Sequence, residues 1–193
     1  MYNILENIPD KTEDAKTTSL KFKKDLIDFL GDDYKNKKCL EVGSHKGYTT
    51  RVLSSLFKEV ICCEWNPKLI EFSKKLNSDK DNILFIRKDI YNTKWDFQDI
   101  DVVLIDCNHA YENVMIDIKN SIEITERGKT MTLIFDDYGL DNPWRGVKEA
   151  VDDYLSVPNF NMVKHIGESK GLVVYPGKVL KDSEGVICSY ENY

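Results

Sequence analysis

The stretch Cys39-Leu-Glu-Val-Gly43-Ser-His-Lys-Gly47-Tyr-Thr49 carries an apolar strand pattern directly into a glycine loop, and a helical pattern follows the loop. Glycine at positions 43 and 47 permits a tight turn and a close approach of the backbone to a ligand. The spacing is E-x-G-x-x-x-G, whereas a dinucleotide site requires G-x-G-x-x-G and a P-loop ends in Gly-Lys-Ser/Thr. The stretch therefore predicts a ligand loop of neither of those two kinds.

Short apolar runs alternate with amphipathic helical patterns along the chain on both sides of this loop. The predicted strands are 39–42, 60–63, 83–86, 102–105 and 131–135, and the predicted helices are 20–30, 49–57, 67–76, 109–124 and 144–155. This alternation is typical of a parallel sheet that helices cover on both faces. We expect a Rossmann-like, doubly wound α/β fold with a mostly parallel, seven-stranded sheet.

The carboxyl-terminal part of the chain shows a different pattern. The runs 161–166 and 172–175 flank Gly167-Glu-Ser-Lys-Gly171, which predicts a hairpin and an antiparallel last strand. A length of 193 residues suits one domain. Within residues 1–193 we expect an amino-terminal helical segment (1–35) that lies over the substrate site, a core (36–177) and a tail (178–193).

The composition excludes several classes of protein. A net charge of −6 opposes nucleic-acid binding, which depends on Lys and Arg to neutralise phosphates. No apolar run reaches the ~20 residues of a membrane span, and the amino terminus lacks the pattern of a secretory signal, so we expect a cytoplasmic location. Five cysteines without a C-x-x-C pair argue against a zinc site and a disulfide framework.

Acidic residues stand at the ends of the first three predicted strands. Glu41 leads into the glycine loop, Glu64 ends the second strand and Asp89 follows the third. In doubly wound sheets an acid at the position of Glu64 binds ribose hydroxyls. Asp89 stands in the corresponding place after the third strand, with the apolar residues Ile90 and Trp65 as its companions at this edge. Three acids at three successive strand ends are a more specific sign of a ligand site than any one of them alone.

Further carboxylates follow the fourth and fifth strands, at Asp106, Asp136 and Asp137. Because the carboxyl ends of parallel strands meet at one edge of the sheet, we expect these three side chains to converge. Three carboxylates in one space repel each other unless a cation offsets them, and oxygen ligands suit Mg²⁺ or Ca²⁺ better than zinc. In the alternative, Asp106 contacts only the cofactor and the other two residues cap the loop.

The E-x-G-x-x-x-G pattern resembles the first motif of class I S-adenosylmethionine-dependent methyltransferases. The resemblance implies that Glu41 reaches the amino end of S-adenosylmethionine and that the glycine loop passes beneath it. It also implies that Asp89 accepts a hydrogen bond from the adenine amino group, with Ile90 and Trp65 as apolar walls for the ring. The cofactor-binding residues expected from the loop and the strand ends are Glu41, Gly43, Ser44, His45, Gly47, Tyr48, Thr49, Glu64, Trp65, Asp89, Ile90 and Asp106.

A narrower resemblance covers residues 40–155. Asp106 with His109, the run Asp136-Asp137-Tyr138 and the helix that begins near Trp144 are similar to macrocin O-methyltransferase and, more distantly, to catechol O-methyltransferase. In those relatives the acids at these strand ends, here Asp106, Asp136 and Asp137, hold a magnesium ion that binds vicinal hydroxyls of the substrate. This chain departs from the Asp-Gly-Asp-His of many relatives, because Asn108 removes one charge.

His109 is the candidate general base, with Asp106 as the second catalytic residue. Catechol enzymes place a lysine base at the position of His109, and a neutral imidazole suits the acceptance of a hydroxyl proton. A histidine at a helix start could equally cap the helix or pack. The expected activity is methyl transfer from S-adenosylmethionine to an oxygen of a small hydroxylated acceptor with Mg²⁺ assistance. The alternatives are a metal-independent methyltransferase and a non-catalytic S-adenosylmethionine-binding protein, and a homodimer is an arrangement that many relatives adopt.

Overall fold

The computed structural model describes residues 2–139, 146–168, 172–175, 178–181 and 183–193. The helices are α1 (Leu20–Leu30), α2 (Tyr48–Ser54), α3 (Pro67–Leu76), α4 (Tyr111–Glu123) and α5 (Gly146–Tyr154). The strands are β1 (Lys38–Val42), β2 (Glu59–Glu64), β3 (Ile83–Arg87), β4 (Val102–Ile105), β5 (Thr130–Phe135), β6 (Phe160–Ile166), β7 (Leu172–Tyr175), β8 (Lys178–Lys181) and β9 (Gly185–Glu191).

Seven of these strands form one sheet in the order β3-β2-β1-β4-β5-β9-β6. Strands β1 to β5 pair in parallel, and β9 runs antiparallel to both of its neighbours, β5 and β6. The chain order reverses on either side of β1, so the segments that follow β1 and β4 lead to helices on opposite faces of the sheet. Such a reversal leaves a crevice at the carboxyl ends of the strands, where folds of this kind bind ligands. The prediction of a mostly parallel, seven-stranded α/β sheet is confirmed.

The predicted hairpin between residues 161–166 and 172–175 is wrong. β6 pairs with β9, while β7 pairs with β8 in a separate two-stranded sheet. Residues 178–193 are therefore more than a tail, since they supply β9 in the interior of the large sheet. Val186, Ile187 and Cys188 are fully buried there, and it is this burial between β5 and β6 that selects the long-range partner.

The alternation of side chains along β1 divides the core into two layers. Leu40 and Val42 pack in the layer that α4 and α5 cover, whereas Cys39 packs in the layer that α1 and α2 cover. Successive residues of a strand point to opposite faces of the sheet, so both faces of β1 are buried beneath helices. The ends of the strands are left as the edge open to a ligand.

Local chemistry explains most helix boundaries. Asn66 caps α3 by accepting from the backbone N–H of Lys68, and Pro67 occupies the first turn of that helix. Helix α4 begins at Tyr111, two residues later than predicted, so His109 lies in the loop before it. The predicted start of the last helix at Trp144 lies outside the described residues. None of the helices in the described part of the chain combines the length and the apolar character needed to cross a bilayer.

Candidate active site

Two glycines shape the loop after β1. Gly43 has φ +89°, and a Cβ there would stand 2.2 Å from the carbonyl oxygen of Asp106. Gly47 has φ +78°, and a Cβ there would stand 1.9 Å from the Ser73 hydroxyl on α3. Only glycine combines a positive φ with such close neighbours. The loop is thereby held against the end of β4 and against α3.

The parallel pairing continues for one residue beyond several strand ends. The backbone N–H groups of Gly43, Asp106 and Asp136 donate to the backbone carbonyls of Cys63, Val42 and Ile105, in that order. Residues that follow the different strands are therefore aligned at one edge of the sheet. A cavity of about 720 Å³ opens at this edge, and its lining includes Gly43, Glu64, Trp65, Asp89, Ile90 and His109. That volume is within the range of small-molecule and cofactor sites.

Glu64 stands at the end of β2 in the wall of this cavity. Its carboxylate accepts from the backbone N–H of His45 (3.1 Å) and of Asn66 (2.8 Å). A carboxylate has about four acceptor positions, so two backbone donors orient the group and leave positions for donors on a ligand. The side chain is thus both fixed in direction and able to bind hydroxyls.

The wall beyond β3 combines one acid with apolar surface. Asp89 accepts from the side-chain amide of Asn92 (2.8 Å) and from the N–H of Tyr91 (3.2 Å), and the bond from Asn92 is the main cause of its lowered pKa. Ile90 is buried, whereas Trp65 is 60% exposed, so much of its indole is free to contact a ligand. This wall suits a flat, partly apolar ring with one hydrogen-bond donor.

The structure does not place Glu41 in the cavity. Its carboxylate accepts from the Thr50 hydroxyl of α2 (2.5 Å) and from the Cys62 thiol of β2 (3.0 Å). Burial raises the pKa of Glu41 to about 7. The expected direct contact with the amino end of the cofactor does not match this position, because Glu41 faces the layer beneath α2. Its hydrogen bonds instead join the end of β1 to α2 and β2, on either side of the glycine loop.

The other loop residues surround the turn without lining the cavity. The side chains of Ser44 and His45 each carry a buried polar atom, Oγ and Nδ1, with no hydrogen-bond partner among the described residues. Tyr48, the first residue of α2, packs edge-on against Phe72 of α3. The hydroxyl of Thr49 lies 3.5 Å from the hydroxyl of Thr18. Buried polar atoms without a partner are uncommon, so these two atoms of Ser44 and His45 are unusual features of the loop.

Three residues converge beside the cavity, and we call Asp106, His109 and Asp137 the acid centre. Nε2 of His109 lies 3.6 Å from Oδ1 of Asp106 and 3.3 Å from Oδ2 of Asp137. One ligand atom from each residue falls within 4.8 Å of the other two. The carboxylate of Asp106, aided by that of Asp137, raises the pKa of His109 despite burial. Because His109 also lines the cavity, the centre adjoins the candidate cofactor site.

Asp136 lies outside the group of three ligand atoms that fall within 4.8 Å of one another, and the predicted metal set of Asp106, Asp136 and Asp137 stays a prediction. Its side chain is 4% exposed, and Oδ1 has no hydrogen-bond partner within the described chain. Burial, followed by the charges of Asp106 and Asp137, raises the pKa of Asp136 well above its ordinary value. Asp137 adopts φ +56°, which turns the chain so that Asp137, not Asp136, meets His109.

Lys11 and Glu184 are site residues that the sequence analysis missed. Nζ of Lys11 lies 3.6 Å from Oδ1 of Asp137 and 3.6 Å from Oε1 of Glu184. Glu184 precedes β9, whose antiparallel direction makes it start at the edge where β5 ends. An isolated lysine in a polar stretch and a glutamate in the predicted tail carry no motif, so nothing in their spacing pointed to this edge.

A buried acid behind the cavity leads to a prediction about stability. Asp117 on α4 is fully buried, accepts from the hydroxyl of Tyr91 (3.2 Å), and has its pKa raised to about 8 by burial. At pH values between the ordinary pKa and this raised one, the folded state binds more protons than the unfolded state. The free energy of unfolding therefore falls as pH rises, by up to about 1.4 kcal/mol per pH unit.

Asp117→Asn should remove this dependence while it keeps an acceptor for Tyr91. Relative to the parent, the variant should become more stable as pH is raised from about 5 to about 8. Urea unfolding at both pH values measures the difference, and the exposed Asp81→Asn is the control for loss of one carboxylate. Parallel pH profiles for the parent and Asp117→Asn would show that Asp117 is ionised in the fold.

Several solved structures share this architecture. The cofactor-bound Rv0187 from MTB matches with a TM-score of 0.69 and 16% identity over 91% of this chain and 82% of its own. The O-methyltransferase TomG from Streptomyces achromogenes, solved with SAM, matches with a TM-score of 0.62 and 13% identity over 92% and 82%. An rRNA methylase from Streptococcus thermophilus matches with a TM-score of 0.57 and 14% identity over 86% and 92%. At these identities the likeness concerns the fold alone.

The sequence itself supplies the family. No curated protein matches it. A family model described as a methyltransferase domain matches residues 40–138, just over half of the chain, and spans the glycine loop, Glu64, Asp89 and the acid centre. Together with the class I fold, this match identifies the chain as a member of the methyltransferase-domain family and as an S-adenosylmethionine-dependent methyltransferase.

Proposed function

We propose that the chain methylates an oxygen atom of a small hydroxylated acceptor. One observation carries the proposal: His109 lines the cofactor cavity and at the same time lies within 3.6 Å of Asp106 and 3.3 Å of Asp137. Methyl transfer is an in-line displacement that requires an aligned oxygen and the loss of its proton. The acid centre offers both an imidazole for the proton and carboxylates that orient the acceptor.

In this proposal the cofactor occupies the cavity at the strand ends. Glu64 binds the ribose hydroxyls, Asp89 faces the adenine amino group, and Ile90 and Trp65 pack on the ring. The bound S-adenosylmethionine of TomG supports the choice of ligand, as does the volume of about 720 Å³ of the cavity that Gly43 and His109 help to line. Glu41 acts indirectly, because its hydrogen bond with Thr50 stabilises the start of α2, which follows the glycine loop.

The acid centre also fits a hard divalent cation. Two carboxylates converge there with an imidazole, and oxygen ligands suit Mg²⁺. We assign Asp106 and Asp137 as ligands, with Asp136 as the adjacent third acid, and we assign the deprotonated imidazole of His109 as the proton acceptor beside them. A bound cation of this kind supplies positive charge that lowers the pKa of an acceptor hydroxyl. The protein's own residues then orient that hydroxyl and remove its proton.

A small acceptor suits this edge of the sheet better than an RNA. Carboxylates of Asp106, Asp137 and Glu184 surround the centre, and the chain carries a net charge of −6. Phosphates would meet repulsion there instead of the Lys and Arg contacts that nucleic-acid affinity requires. The amino-terminal segment also lies at this edge, where Asp14 pairs with Lys46 of the glycine loop (2.5 Å).

The test begins with binding and then follows turnover. Calorimetry should show S-adenosylmethionine binding and no binding of NAD. Methyl transfer to a vicinal diol such as a catechol should then require Mg²⁺. Asp137→Asn should lower kcat by at least about 100-fold, because a Lewis acid supplies several kcal/mol of stabilisation, and should leave cofactor affinity in place.

Asp81→Asn is the matched control for Asp137→Asn, because Asp81 is exposed and outside the site. Turnover that survives both exhaustive chelation and the Asp137→Asn change would exclude the metal role. Binding of S-adenosylmethionine without methylation of any hydroxylated acceptor would exclude the proposed reaction class.

A further inference from the structure

Residues 9–19, which we call the amino-terminal strap, connect the glycine loop to the acid centre. Near its amino end, Lys11 reaches Asp137 and Glu184. In its middle, Asp14 pairs with Lys46 of the glycine loop (2.5 Å). At its carboxyl end, the backbone N–H of Ser19 donates to the carboxylate of Glu184 (2.8 Å). The strap therefore places one ammonium group directly at the carboxylates.

The contact of Lys11 is loose, whereas the residue before it is held by hydrogen bonds. Both of its ion pairs measure 3.6 Å, longer than a hydrogen bond, and 40% of the side chain is exposed. The neighbouring Asp10 accepts from the N–H of Leu20 (2.7 Å), and its own N–H donates to Glu13 (3.0 Å). The side chain of Lys11 can thus leave the acid centre without movement of the strap.

A divalent cation at the acid centre would use the same carboxylate as Lys11. Asp137 belongs to the group whose ligand atoms lie within 4.8 Å of one another, and it is also the partner of Lys11. Two cations on one carboxylate repel each other, and the repulsion is strong where the groups are partly buried. Asp136 lies close enough for the charges of Asp106 and Asp137 to act on it, and its buried Oδ1 has no hydrogen-bond partner among the described residues.

We propose that the ammonium of Lys11 is the resident cation of the acid centre and that a divalent metal ion binds there only by displacing it. The inference rests on the proposed function insofar as it takes the acid centre as the metal site. It adds that the amino-terminal strap sets the metal affinity. The lysine holds the carboxylates of Asp137 and Glu184 together until a metal ion arrives.

Binding of Mn²⁺ alone, without cofactor or acceptor, tests the proposal. Free Mn²⁺ is measured by electron paramagnetic resonance for the parent protein, Lys11→Met, Lys11→Arg and Lys16→Met. Lys16 lies on the same strap, is exposed, and controls for the loss of one positive charge. We expect Lys11→Met to bind Mn²⁺ about tenfold more tightly than the parent, while Lys11→Arg and Lys16→Met stay within about twofold.

Three results would overturn the inference: equal affinities for the parent and Lys11→Met, a gain in Lys11→Arg or Lys16→Met as large as that in Lys11→Met, or no Mn²⁺ binding by any of the four proteins. Methyl transfer by the parent is measured in parallel. An active enzyme whose Mn²⁺ affinity ignores Lys11 would overturn this inference alone. An inactive protein with Lys11-dependent Mn²⁺ binding would instead overturn the proposed reaction.

Discussion

Replacing His109 with alanine is expected to lower kcat by about 10²–10⁴, the usual contribution of a positioned general base. The expectation follows from the position of the imidazole between Asp106, Asp137 and the cofactor cavity. Affinity for S-adenosylmethionine should change little, because the proton to be removed belongs to the acceptor. Steady-state kinetics at saturating acceptor, together with calorimetry of cofactor binding, measures the two effects separately.

The same variant distinguishes a base from a metal ligand. If His109 accepts the proton, His109→Ala should retain the Mn²⁺ affinity of the parent, since Asp106 and Asp137 remain. If its imidazole ligates the ion, Mn²⁺ affinity should fall by about 10–100-fold. A loss of kcat below about tenfold, with chemistry shown to limit the rate, would move the proton-transfer role away from His109.

Replacing Glu64 with alanine should weaken S-adenosylmethionine binding by about two orders of magnitude or more. Hydrogen bonds to a charged partner contribute roughly 1.5–3 kcal/mol each, and the ribose offers two hydroxyls. The carboxylate is already oriented by the N–H groups of His45 and Asn66, so the parent loses little freedom when it binds the sugar. Isothermal calorimetry with S-adenosylmethionine and S-adenosylhomocysteine measures the loss.

Glu71→Ala is a suitable control, because Glu71 lies on the exposed side of α3 and pairs only loosely with Lys74 (3.5 Å). Glu64→Gln should retain part of the affinity, since the amide oxygen still accepts one hydrogen bond. Unchanged affinity in Glu64→Ala would show that the ribose lies elsewhere in the cavity.

Much of the candidate site follows from the order of strands along the chain. Alternating strand and helix patterns predict parallel strands, and parallel strands bring their carboxyl ends to one edge. For this reason Glu64, Asp89 and Asp106 could be assigned to one site although they are far apart in sequence. The glycines at positions 43 and 47 indicated the turn at that edge. Both have a positive φ and neighbours too close for a Cβ, so other residues would not fit there.

The direction of individual side chains could not be read from the same patterns. Successive side chains of a strand point to opposite faces of the sheet, and Glu41 is the second-last residue of β1. Its carboxylate therefore points to the face that α2 covers, where it accepts from Thr50, and not into the cavity. Asp136 and Asp137 are adjacent, yet it is Asp137, with its positive φ, whose carboxylate lies 3.3 Å from Nε2 of His109. A change of one backbone angle of this kind depends on packing around the loop.

Local periodicity and turn chemistry were sufficient to predict the class of fold and to assign Glu64, Asp89 and Asp106 to one edge of the sheet. Only the tertiary structure decided that β9 enters between β5 and β6 and brings Glu184 to this edge. It alone carried Lys11 from the amino-terminal strap to Asp137, across more than a hundred residues of sequence. Contacts between such distant segments form when whole layers of the fold pack against one another. No local repeat of apolar residues in the sequence indicates which distant segments will meet.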